Sequence, residues 1–382
     1  MNYKEFEQII IGYMQAKGWT LSIAVDGSER LALEKNYNPN FTNKSKDKFL
    51  INDDEFYDRL KKGLDKLNIT YKNFNSIDNP YTDTDFIVAG LQTINPIIYG
   101  SSEVQLDKWI SFQPVIRLIE KDKCGVEEGY FSSFVNVCEI STNTNYADYI
   151  QDIENWIDIL SICSLHSSGL QLILKPTTTA YNGVGLEFNY KGLELGQANL
   201  YNFNINEQNV MMSDFGFGYE RILWAINGGK NFFAPFVSKY DYLFGDLKEV
   251  DRIRTLTLMA MSGIKGGSSG KSKHMRNLVK EAFGINIIPN INEQIKQYYE
   301  FYSKFISSSI ELNEVNGIIN NEVALNIKKK ILKQAGISSY SSLNSADIET
   351  VCKTIFLDTL HQENKFTKIK EIKGGKRKWN YY

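Results

Sequence analysis

Hydrophobic and polar positions alternate with three different rhythms along the chain. Near the start, Phe6, Ile9, Ile10, Tyr13 and Met14 recur at three- and four-residue intervals, which predicts an amphipathic helix within residues 1–20, stopped by Gly18. Residues 26–82 are polar and rich in Asn, Asp and Lys, with one helical pattern starting at Asp54; the stretch near 24–82 reads as an inserted helix and loops over the main domain. From 85 to 225 the rhythm changes to short β-favouring runs, Phe86–Ala89, Val115–Ile119, Phe134–Cys138 and Leu170–Leu174. A helical pattern interrupts them, with Tyr146, Tyr149, Ile150, Ile153, Ile157 and Leu160 on one face. Gly185–Tyr190 and Leu193–Leu200 flank Lys191-Gly192, which predicts a hairpin. Beyond 250 the pattern is helical, including runs at Ala324–Leu332 and Ser345–Leu357, the latter with Ser345 as N-cap. The order predicts an α+β protein: residues 1–245 form a sheet flanked by helices, and 246–382 form a small all-helical domain.

Residues 212–227 carry the most specific chemistry. Gly216 and Gly218 stand directly before Tyr219-Glu220-Arg221-Ile222-Leu223, where a helical pattern begins. The glycines predict a kinked segment that lets backbone approach a ligand, and arginine offers a rigid fork of donors to phosphate. A strand end carrying a surface ion pair is the plainer alternative.

Asp214-Phe-Gly-Phe-Gly-Tyr-Glu-Arg221-Ile resembles the third signature motif of class II aminoacyl-tRNA synthetases, in its alanyl-tRNA synthetase form. The resemblance implies that Arg221 binds the γ-phosphate of ATP and that Asp214 receives the α-ammonium of an amino acid. Other segments resemble the family in the same order: Phe6–Trp19, Asp85–Gly100, Ser111–Arg117, Val250–Ala260 and Gly270–Phe283. They extend the likeness over most of 1–20 and 83–285. Arg117 matches the second-motif arginine, which grips the α-phosphate. Gln197 aligns with an amino-acid-contacting asparagine, and Glu187 matches a position that could hold Mg²⁺. The fold implied is a class II antiparallel sheet flanked by helices. The segment after Arg117, Leu118-Ile-Glu-Lys-Asp-Lys123, departs from the family's Ala-Gly-Gly-Lys-His-Asn, so adenine contacts are not carried over.

Composition narrows the partners. The 382 residues are 42% hydrophobic with a net charge of −2, and no apolar run is long enough for a membrane span. Four unpaired-looking cysteines suggest reduced thiols and a cytoplasmic protein. The three histidines lie far apart, so no zinc is expected. Residues 251–382 carry 21 Lys and Arg against 12 Asp and Glu, which suggests a polyanion contact. Within the resemblance, Arg252, Arg254, Lys271, Lys273, Arg276 and Lys280 would meet the phosphates of a tRNA acceptor stem, although a solvated helix face suits each of them singly. The Gly263–Ser272 stretch misses the P-loop spacing and reads as a basic hinge. The expected activity is ATP- and Mg²⁺-dependent activation of a small amino acid, alanine by resemblance, and its ligation to tRNA. One alternative passes the adenylate to a carrier protein or small molecule. Another is a non-catalytic, RNA-binding relative.

Overall fold

The computed structural model describes residues 3–24, 27–38, 40, 51–73, 77–79, 84–99, 107–124, 129–177, 182–205, 207–228, 247–283 and 291–334. Nine strands form one sheet in the order β1-β2-β6-β7-β8-β9-β5-β4-β3. They are β1 (Thr20–Ile23), β2 (Leu31–Glu34), β3 (Thr70–Tyr71), β4 (Lys108–Ile116), β5 (Ser133–Ser141), β6 (Leu170–Pro176), β7 (Asn182–Tyr190), β8 (Leu193–Ile205) and β9 (Gln208–Gly218). Every neighbouring pair is antiparallel except β3 with β4. The α+β expectation therefore holds, with an antiparallel sheet flanked and followed by helices.

Alternation sorts the two faces of the sheet. One face carries Leu172, Leu186, Leu200, Phe215 and Phe217 into the main apolar core, where they meet Phe6, Ile10 and Met14 of α1 (Tyr3–Ala16). Phe56, Leu60 and Leu64 of α2 (Asp53–Asp65) and Trp156 of α4 (Tyr146–Ile162) fill the same layer. Trp156 stacks on Phe217 with ring centroids 4.1 Å apart. The opposite face is polar near its middle. Its lower end packs Trp109, Ile140, Tyr201 and Phe203 against Ile94 and the short α3 (Asn95–Ile98).

Local signals explain the element ends. Gly18 has φ +86 just past α1, a stop that glycine adopts without strain. Asn52 and Asn145 cap α2 and α4 by accepting from the backbone N–H of Glu55 and Asp148. Lys191 and Gly192 both have positive φ, 52° and 89°, as a two-residue hairpin turn requires.

Two expectations change. The described parts of the polar stretch near 24–82 belong to the sheet and the core: β2 pairs with β6, β3 pairs with β4, and α2 is a core helix. Phe86–Ala89 makes an isolated bridge, Asp78 with Phe86, rather than a strand.

After α5 (Tyr219–Ile226) come α6 (Leu247–Met261), α7 (Gly270–Ala282), α8 (Ile291–Tyr302) and α9 (Leu312–Gln334). Their apolar residues, including Leu256, Leu278, Tyr298 and Ile319, join the sheet's main core. The run at Ala324–Leu332 lies in α9. The predicted helix at Ser345 and the basic stretch Lys365–Trp379 lie outside the described residues.

Candidate active site

The polar face of the sheet is the floor of a cavity of about 600 Å³. Its shape follows from residues without side chains. Gly216 and Gly218 sit in extended backbone at the end of β9, and Gly218 opens α5 with φ −75. They do not kink the chain, contrary to the sequence expectation; they keep the floor flat. A Cβ on Gly216 would stand 3.2 Å from Asn136 Oδ1, and one on Gly218 would stand 3.4 Å from the stem of Arg221.

Arg117, Arg221, Asp214, Gln197, Gly216 and Gly218 all line this cavity. Residues from the end of β4, from β8, from β9 and from the first turn of α5 thus meet at one place. Arg117 follows β4 directly. Its Nε donates to the Val88 carbonyl at 2.8 Å, and its guanidinium lies 5.0 Å from the Phe134 ring centroid. Partial desolvation, then the nearby Arg221 charge, lower its pKa, though an arginine stays cationic. Two cations thus face a cavity that Glu120, Glu194, Asp214 and Glu220 also line.

Arg221 is held on its inner side. Nη1 donates to Glu194 Oε2 at 3.1 Å and to the Glu194 carbonyl at 3.3 Å. Glu194 Oε1 accepts from Gln197 Nε2 at 2.8 Å. Burial would raise the Glu194 pKa, but Arg221, Gln197 and Lys175 outweigh it and hold the carboxyl below its usual value.

Asp214 differs from Glu194. It is 6% exposed, and among the described residues its Oδ1 has no hydrogen-bond partner. Desolvation pushes it up to about 7, opposed by the Arg117 charge. A buried carboxylate oxygen facing a cavity without a donor is costly until a cation or donor arrives.

Glu187 does not fit the magnesium role. Its neighbour across the sheet, Gln197, lines the cavity, but Glu187 itself is engaged by Arg30 Nη1 at 3.2 Å and Asn189 Nδ2 at 3.3 Å. The carboxylates that do line the cavity are Glu120, Glu194, Asp214 and Glu220. Of these, Glu194 is engaged by Arg221 and Gln197, and Glu120 by Lys123 at 3.0 Å.

The helical basic residues divide. Arg252 is 3% exposed and bound to Asp251, Glu281 and the Lys121 carbonyl. Arg254 is 1% exposed, paired with Glu220 and surrounded by Phe131, Phe301 and Tyr302. Neither can touch a nucleic acid, because both are consumed in fixing α6 to the sheet. Arg276 pairs with Glu322 at 3.2 Å, and Lys271 with Asp78 at 2.7 Å. Lys273 and Lys280 are exposed.

Sequence reasoning missed Glu194, Asn136, Asn199 and Glu220. Glu194 was hidden by a bulge: the register shifts between Phe188 and Asn189, so Glu194 opposes Asn189 and Gly196 opposes Phe188. That shift turns Glu194 onto the polar face. Asn199 could have been found from alternation with Gln197 and Tyr201 along β8.

No protein-family model and no curated protein matches the chain. Two structures of pyrrolysyl-tRNA synthetase from Desulfitobacterium hafniense align with 47% of it, at 13% and 14% identity. They cover 70% and 71% of those chains, with TM-scores of 0.36 and 0.35. Both act on an amino acid other than alanine by their names, and a likeness of this size does not define a fold.

Proposed function

We propose that the chain activates an amino acid with ATP to form an aminoacyl-adenylate. One observation carries the reading: Arg117, Arg221 and the unsatisfied Asp214 carboxylate share one cavity. The motif order in the sequence supports it, as does the antiparallel sheet whose strands β4 and β9 carry or lead into the three residues.

In this reading Arg117 and Arg221 grip a triphosphate, and Asp214 takes the α-ammonium of the amino acid. The amino-acid carboxylate then attacks the α-phosphorus, and the bond to pyrophosphate breaks. Both reactants are anionic, so the work lies in screening charge and aligning the two groups. Magnesium would neutralise the leaving pyrophosphate, held by the phosphates with Glu120 or Glu194 released from its present ion pair. Alanine as substrate rests on the sequence resemblance alone.

A second reading concerns the acceptor. Of the six predicted contacts, Arg252, Arg254, Arg276 and Lys271 are engaged within the protein, and Lys273 and Lys280 are exposed. The burial of Arg252 and Arg254 removes two of the predicted tRNA contacts, which keeps a carrier protein or small molecule open as the acceptor in place of tRNA. Amino-acid-dependent ATP–pyrophosphate exchange, screened over all standard amino acids and followed by charging of total tRNA, tests both readings. Exchange with charging supports a tRNA ligase, and exchange without charging supports the second reading. No exchange with any amino acid would leave the activation proposal without support.

A further inference from the structure

The cavity contains an amide that the protein itself does not use. Asn199 on β8 and Asp214 on β9 are register partners, so their side chains leave the same face of the sheet on strands about 4.8 Å apart. Both line the cavity. Among the described residues the Asn199 side chain has no hydrogen-bond partner. Its Oδ1 lies over Gly185 of β7, where a Cβ would stand 2.8 Å from it. The absent side chain at Gly185 is what gives the amide its room. A carboxamide has one donor edge and one acceptor edge, and presents either by turning over.

Position along the strands separates this amide from the phosphate end. The Arg117 backbone N–H donates to the Ser132 carbonyl at 2.8 Å, and Arg221 follows Gly218 in the first turn of α5. Gly218 pairs with Asn136, Gly216 with Cys138 and Asp214 with Ile140. The arginine end of the floor therefore lies four residues, about 13 Å, from Asp214. Asn136 stands between the two ends: a Cβ on Gly216 would be 3.2 Å from its Oδ1 and 3.5 Å from its Nδ2. An amino acid with its ammonium on Asp214 turns its reacting carboxylate past Asn136 toward the arginines. Its side chain is left in the row of Asn199. Beyond that row Tyr201 and Leu91 line the cavity and pack with Ile94, Ile140 and Met212, which closes this end to a large side chain.

The surroundings select by chemistry. An anionic side chain would be repelled by Asp214. A cationic one would compete for Asp214, which the α-ammonium occupies, or for Glu194, which Arg221 and Gln197 already bind. An aliphatic one would cover the Asn199 amide and leave it without the water it otherwise bonds. Resting on the activation reading above, we infer that Asn199 is a specificity-determining residue, and that the amino acid activated carries a small, neutral, hydrogen-bonding side chain, a hydroxyl or a carboxamide, in preference to the methyl of alanine.

Amino-acid-dependent ATP–pyrophosphate exchange, read as kcat/KM for each amino acid, tests this. The wild type is expected to favour serine, threonine, asparagine or glutamine over alanine by about ten- to a hundredfold, the cost of one unpaired neutral group. Preference within that set separates a hydroxyl from a carboxamide. Asn199→Val keeps a strand-forming residue and removes the amide; it should bring the ratio to alanine down to within about threefold, with the KM for ATP within about twofold of the wild type. Gly185→Ala keeps every polar group but displaces the amide end, and should lower the same ratio. A wild type that prefers alanine, another aliphatic or a charged amino acid overturns the inference and leaves the activation reading standing. So does an Asn199→Val protein with the wild-type ratio. A wild type that exchanges with no amino acid overturns both.

Discussion

Glu220 and Arg254 form an ion pair with side chains 2% and 1% exposed, across 34 residues of sequence. Glu220 also accepts from the Val135 backbone N–H at 3.1 Å, and Arg254 Nε donates to Tyr302 at 3.0 Å. One pair thus ties the first turn of α5, strand β5, α6 and α8 together directly beside the cavity.

Removing one partner leaves a buried charge alone, which costs about 3–5 kcal/mol. Arg254→Met is therefore expected to lower stability by that order in chemical denaturation. Glu220→Leu with Arg254→Met together should recover much of the loss. A single variant as stable as the wild type would show that the pair does not bind the helices to the sheet.

Asp214 ties stability to pH. Its folded pKa, about 7, lies above the ordinary carboxylate value of 3.8. The folded protein therefore holds a proton that the unfolded chain releases, and stability falls as pH rises from about 4 to about 7, by roughly 2–4 kcal/mol at most. Asp214→Asn should flatten this part of the stability profile. The ionised form is the one that receives an ammonium, so amino-acid affinity should rise as the pH rises through about 7. Titration calorimetry at pH 5.5 and 7.5 checks this; equal affinity at both would remove Asp214 from the ammonium site.

Gly216 is expected to tolerate no side chain without cost to binding. Alanine there presses on Asn136 Oδ1 from 3.2 Å and raises the cavity floor. The Gly216→Ala protein should fold, because the neighbour is a side-chain amide that can turn, but it should bind ATP about tenfold more weakly, a cost of about 1.4 kcal/mol. Unchanged ATP affinity would place the nucleotide elsewhere.

A polyanion contact through α7 should depend on Lys273 and Lys280. Replacing both with Glu is expected to weaken RNA binding at low salt and to reduce its salt dependence, without loss of stability. Unchanged RNA affinity would place any RNA contact on other residues.

How much of this was legible in the sequence depends on where each signal resides. The Lys191-Gly192 hairpin and the α1 stop at Gly18 were readable because positive φ is a local demand. Asp214, Arg117 and Arg221 were readable from motif spacing, and the sheet brings them together. The 24–82 segment was misread because β2 is four residues long and acquires its place from β6, far along the chain. Arg252 and Arg254 were misread for a related reason. A buried arginine and an exposed one look alike in sequence, and only the packing of Glu220, Phe131 and Tyr302 around Arg254 tells them apart. Glu194 needed the bulge.

The most direct test is ATP–pyrophosphate exchange with wild-type protein and with Arg221→Ala, in the presence of each amino acid in turn. The wild type is expected to exchange with one amino acid or a small set, and the variant to lose that exchange by at least about a hundredfold, roughly 2.7 kcal/mol of lost stabilisation. A variant that exchanges as fast as the wild type would contradict the assignment of this cavity to adenylate formation.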